Sequence, residues 1–273
     1  MKIRKEYTFT SKYTIWRLLF AGANMIVEQR DTTSKEVFFS CFEILSGKSI
    51  FSDLQLDEKF WIGIEAVYKD IIFFHKYASP DMPKHSEIIA FDINTQKVLW
   101  TNQNYSFLFP YNDNVYCYLS KLDGQKFFSL DCKTGNLTEE LGNDLNQIEF
   151  LKVKSAKENE LEGCLFPESF GITDPENTTA VQILDDIRKN NAIQGDIEFI
   201  IKENVLLFNY YSTQKNNTLE NKFLSFDLLT GKKIFEEVLI ESANAFVPDS
   251  FFTQNNFVFL LKGRSKLLVC SID

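Results

Sequence analysis

The chain has 273 residues, a formal charge of −9, 27 Phe, and few Gly (11) or Pro (6), a composition that excludes disordered and collagenous chains and supplies a sizeable core. No Lys/Arg cluster is longer than a pair, so the basic footprint needed for nucleic acid or an anionic membrane surface is missing. The five cysteines are odd in number, widely spaced and free of CxxC spacing, which points to buried reduced thiols rather than a disulfide framework or a metal cluster.

At the N-terminus, Lys2, Arg4 and Lys5 precede an apolar stretch in the manner of a signal peptide. Trp16-Arg17 interrupts that stretch, and no run reaches transmembrane length. Residues 15–27 therefore read as two strands, with no membrane insertion. The expected compartment is the cytoplasm, or the periplasm if a leader was removed ahead of Met1.

From there a phrase recurs: Phe42-Glu43-Ile44-Leu45-Ser46-Gly47-Lys48, Phe91-Asp92-Ile93-Asn94-Thr95-Gln96-Lys97, Leu130-Asp131-Cys132-Lys133-Thr134-Gly135-Asn136 and Phe226-Asp227-Leu228-Leu229-Thr230-Gly231-Lys232. Each copy joins a β-favouring run to an acidic residue, a tight turn and a further apolar run, which is the wording of a hairpin. Ahead of each lies a second signal, Asn or Asp opening an apolar run, at Asn24, Asp70, Asn114, Asn204 and Asn256. These are separated by 46, 44, 90 and 52 residues, so the long step hides one copy, expected near Asn159. One more apolar run precedes each turn, giving units of four strands, A to D.

Four-stranded units at about 45-residue spacing predict an all-β, six-bladed β-propeller of 1–273 as a single domain. The last unit stops after strand C at Asp273, and residues 2–9 are expected to supply its missing D strand from the N-terminus. The fourth blade, residues 145–194, is irregular: Val181, Leu184 and Ile187 share one helical face behind Thr178 and Thr179, which predicts a helix near 178–190.

The fullest copy of the phrase runs from Phe91-Asp92 through Thr95-Gln96-Lys97 to Val98-Leu99-Trp100. It resembles the PQQ-type repeats of quinoprotein-like and outer-membrane-assembly propellers. The resemblance implies a propeller from an uncharacterised bacterial family and, because Trp follows the turn only once, does not carry quinone binding with it.

The A–B and C–D turns are short, whereas the B–C connections lengthen at residues 76–85 and 212–221, and residues 167–179 lengthen the fourth unit. Binding residues on rigid scaffolds concentrate in such segments. The candidate ligand- or partner-binding residues are therefore Tyr77, Asp81, Lys84, His85, Glu168, Asp174, Lys215 and Asn216. The two histidines, His75 and His85, are the only candidates for imidazole chemistry; His75 continues a strand and reads as structural, while His85 reads as a loop residue near Asp81 and Glu87. No Gly-rich phosphate loop, GxSxG, HExxH or calcium-loop motif is present, so no catalytic residue, metal or cofactor is expected. The expected function is a non-catalytic scaffold that binds a protein or other ligand through the face bearing the long B–C loops, the alternative being an enzyme or small-molecule binder with a sugar, lactone or quinone-type site at a propeller's axial funnel.

Overall fold

The computed structural model of the chain describes residues 1–79, 82–122, 124–158, 163–214, 217–247 and 249–273. They form two compact units, Tyr13–Leu161 and a second made of Met1–Lys12 with Glu162–Asp273. Within both, antiparallel strands adjacent in sequence are adjacent in space. After β1 (Ile3–Thr10) come three four-stranded sheets: β2 (Thr14–Ala21), β3 (Asn24–Asp31), β4 (Glu36–Glu43), β5 (Ser49–Leu54); β6 (Ile62–Tyr68), β7 (Ile71–Ser79), β8 (Met82–Asp92), β9 (Lys97–Asn102); and β10 (Ser106–Tyr111), β11 (Asn114–Lys121), β12 (Gly124–Asp131), β13 (Leu137–Gly142). Helix α1 (Leu145–Glu158) closes the first unit's segment of chain.

The second unit holds β14 (Cys164–Leu165), β15 (Glu168–Ser169), helix α2 (Thr178–Asn190), β16 (Ile193–Lys202), β17 (Val205–Thr213), β18 (Leu219–Asp227), β19 (Lys232–Ala243), β20 (Phe251–Gln254), β21 (Phe257–Lys262) and β22 (Lys266–Ile272). Its two sheets have five strands each, ordered β15-β16-β17-β18-β19 and β14-β20-β21-β22-β1. The N-terminal strand does join the C-terminal one, in a register running from Ile3↔Ile272 to Thr10↔Lys266.

The described residues thus form five sheets, not six. Residues 145–194, expected as a fourth blade, instead hold the two helices and two short strands that extend the neighbouring sheets' edges. Helix α1 was hidden by its resemblance to the repeat near Asn159, yet its start is signalled by Asp144, whose carboxylate accepts the N–H groups of Asn146 and Gln147. Ile148 and Ser155 face inward, and Ser155 donates to the Pro110 carbonyl at 2.7 Å. Helix α2 lies where the amphipathic pattern places it, but its N-cap is Asn177, whose side chain accepts from Ala180 N–H.

The two recurring phrases are one structural device. Asp92, Asp131 and Asp227 turn their carboxylates onto the N–H groups of Thr95, Thr134 and Thr230, while the residue after each acid donates its own N–H back to the A–B turn: Ile93 to Asp70, Cys132 to Asp113, Leu228 to Asn204. Ile44 does the same to Ala23, and Ile272 to Asn256. Each turn needs a left-handed residue, and Gly135 meets a second demand: a Cβ there would lie 2.6 Å from the Trp100 ring, whose Nε1 donates to the Cys132 carbonyl at 2.9 Å. The Trp after the turn in the second sheet therefore pins it to the turn of the third.

Within each unit, apolar side chains fill the spaces between consecutive sheets, as in layered β proteins. Phe39, Phe74 and Phe91 pack between the first and second sheets, Phe73, Val115 and Leu130 between the second and third, and Phe223, Phe251 and Leu268 between the fourth and fifth. Burial pushes the thiols of Cys41, Cys117, Cys132 and Cys270 up to about 12, which makes them inert at neutral pH. Among the described residues no helix is long and apolar enough to cross a membrane.

Candidate functional site

The stretch read as a loop over residues 76–85 is strand almost throughout. β7 and β8 remain paired to Ser79↔Met82, as β17 and β18 do to Thr213↔Leu219. Tyr77 pairs with His85, and its ring meets those of Trp61, His75 and His85 edge-on, so aromatic packing supports the far part of this ladder.

Two bulges shape the root of this hairpin. In β6 the register shifts between Ile64 and Ala66, making Glu65 the extra residue, and in β8 it shifts beside His75, where Glu87 adopts φ 58°. Bulges re-aim side chains. Glu65 is carried toward β7 and β8, and Glu87 is turned to pair with Lys76 at 2.9 Å rather than with His85. Opposite His75 stands Gly63; a Cβ there would lie 3.0 Å from the imidazole Cε1, so the missing side chain is the space in which the ring lies. The first sheet braces β6 from outside: Arg30, ion-paired to buried Glu28 at 2.7 Å, donates to the Ile62 carbonyl, and Arg17 donates to that of Ile64.

The result is a compact cluster. His85 Nδ1 lies 2.6 Å from Glu65 Oε1, and His75 Nδ1 lies 3.2 Å from the same oxygen without hydrogen-bonding geometry. The imidazoles stack in parallel, with centroids 3.5 Å apart and planes 5° apart. His75 is buried, its side chain only 5% exposed, and its Nε2 has no hydrogen-bond partner among the described residues; His85 is 40% exposed. Burial raises the pKa of Glu65, but the proximity of His75 and His85 to its carboxylate outweighs it and holds the carboxyl below its ordinary value. One donor atom from each of Glu65, His75 and His85 lies within 4.8 Å of the others, close enough to hold a metal ion.

Of the residues singled out by sequence, the structure brings Tyr77 and His85 together here. Lys84 lies in β8, and its side chain, like Asp81, Lys215 and Asn216, is outside the described residues. Glu168 is exposed in β15 and Asp174 is exposed shortly after it, both in the other unit. Sequence reasoning missed Glu65 and gave His75 a purely structural role. A usable signal exists: five residues beyond the last residue of the A–B turn (Ala23, Asp70, Asn204) in the first, second and fourth sheets, the apolar B strand carries Glu28, His75 and Asn209, all buried and polar.

Residues 22–100 match the family model described as a domain of unknown function, DUF4905. That segment runs from the first A–B turn to Trp100 and contains Glu65, His75 and His85. A comparison with curated proteins finds no match. Similar solved structures include an uncharacterized protein of Listeria monocytogenes EGD-e, with 13% identity and a TM-score of 0.33 over 92% of this chain and 75% of that one. A member of the DUF4221 family from Bacteroides vulgatus ATCC 8482 has 10% identity and a TM-score of 0.35, covering 100% of this chain and 98% of that one. The Dos1 propeller has 7% identity and a TM-score of 0.30, covering 95% and 55%.

Proposed function

We propose that the chain is a propeller-type binding module, a single domain whose sheets serve as blades and whose terminal strands are joined, and that it takes its ligand at the root of the β7–β8 hairpin without catalysing a reaction. The repeated four-stranded units and their shared turn chemistry support the scaffold, as does the β1–β22 pairing. The observation that carries the binding role is His75. A buried imidazole with an unpartnered nitrogen costs about 1–3 kcal/mol, a penalty that stability alone gives no reason to retain.

The experiment is thermal unfolding of His75→Leu, which removes the orphaned nitrogen while keeping apolar volume. A site kept for binding predicts a Tm increase of about 2–6 °C. A fall of several degrees would show that His75 holds the fold together and would overturn the assignment.

A further inference from the structure

We propose that Glu65, His75 and His85 form a binding site for a divalent transition-metal ion of the zinc type, an inference that rests on the binding role just assigned to this hairpin. Two imidazoles and one carboxylate are the donor set of borderline metals; magnesium and calcium prefer all-oxygen shells. The chain has only two histidines, 10 residues apart in sequence, and two bulges and a side-chain-free position at Gly63 gather both on one carboxylate.

The ring geometry says how the ion is taken up. A metal lies in the plane of each imidazole that binds it, and two planes 5° apart at a 3.5 Å centroid separation cannot both contain one ion. One ring therefore turns. Buried His75, wedged against Gly63 and Tyr77, is the fixed donor, and the 40%-exposed His85 is the one that swings out of the stack and releases its bond to Glu65. Three protein donors then leave one tetrahedral position for solvent or an anionic ligand.

The test is calorimetric titration of the full chain with zinc chloride after chelator treatment, with cobalt(II) absorption as a report of tetrahedral coordination. One equivalent is expected to bind and to raise the Tm, while magnesium and calcium do neither. Affinity should fall by more than about 100-fold in His75→Leu and in His85→Ala, and less in Glu65→Gln, whose amide oxygen remains a weak donor. No zinc binding, or binding unaffected by either histidine substitution, overturns the metal site. These outcomes separate from the binding role itself: a raised Tm for His75→Leu with no zinc binding leaves a non-metal ligand at this root, whereas a lowered Tm removes the functional reading of His75 whatever zinc does.

Discussion

The second and fourth sheets carry the same hairpin with different chemistry. Asn209, Tyr211 and Asn221 occupy in β17 and β18 the positions of His75, Tyr77 and His85 in β7 and β8, and Tyr211↔Asn221 is the counterpart of Tyr77↔His85. The amides form a chain of hydrogen bonds in which, among the described residues, Asn209 Oδ1 alone of their polar atoms lacks a partner: Asn209 Nδ2 donates to Asn221 Oδ1 at 3.3 Å, Asn221 Nδ2 donates to Ser250 Oγ at 3.0 Å, and Ser250 donates to the Val247 carbonyl. Tyr211 exchanges hydrogen bonds with Val247 through its hydroxyl. The imidazoles instead stack and crowd one carboxylate oxygen, leaving His75 Nε2 unpartnered among the described residues. One polar pair is built into the fold, and the other is held in readiness by it.

The largest expected difference follows from that contrast. Asn221→Ala leaves Asn209 and Ser250 buried without their partner and should cost about 2–3 kcal/mol in urea unfolding. The matching His85→Ala removes a half-exposed ring and should cost less than about 1 kcal/mol. Equal losses would erase the distinction between the two hairpins.

Much of the fold behind this comparison is legible in the sequence. The turn phrases located the C–D hairpins because their residues serve local needs, a carboxylate for the Thr N–H and a left-handed residue after it, and local needs leave local spelling. The helix over Thr178–Asn190 was readable for the same reason. The fourth blade expected over residues 145–194 is absent: Lys157-Glu158-Asn159 copies the spelling of Lys202-Glu203-Asn204 while the preceding residues satisfy a helical face, and burial of Ile148 and Ser155 settles the matter through contacts distant in sequence. The site was the least legible part. Glu65 reaches it through a bulge, a register event that no residue type announces, and Gly63 matters only for the ring that lies opposite.

Gly63 offers the next sharpest test. Gly63→Ala places a Cβ 3.0 Å from His75 Cε1 and 3.2 Å from Nε2, against a buried ring, and overpacking of this kind costs about 1–3 kcal/mol. The loss should be relieved in the Gly63→Ala, His75→Ala double variant, where the methyl group enters space the ring has left. A double-mutant cycle in urea measures that coupling. Additive losses would place the role of Gly63 somewhere other than the accommodation of His75.

The smallest effect, and the most specific, is the pH dependence of the two glutamates. Glu65 has its pKa lowered, through histidines that outweigh burial, so its contribution to stability is present above its unfolded value of 4.5 and is lost as pH falls through the lower folded value. Glu198, in β16, has its pKa raised, first by burial and then by Asp249 and Asp196, despite a bond from Asn209. Its contribution runs the other way: present below 4.5 and lost as pH rises through the higher folded value. Glu65→Gln should therefore trail the parent chain at neutral pH and converge with it on acidification, while Glu198→Gln should converge at low pH and surpass it at neutral pH. Urea unfolding across this range reads both slopes. Slopes of the same sign would mean that the histidine pair and the acidic neighbours do not set these two carboxyls apart, and the contrast between the hairpins would then reduce to hydrogen bonding alone.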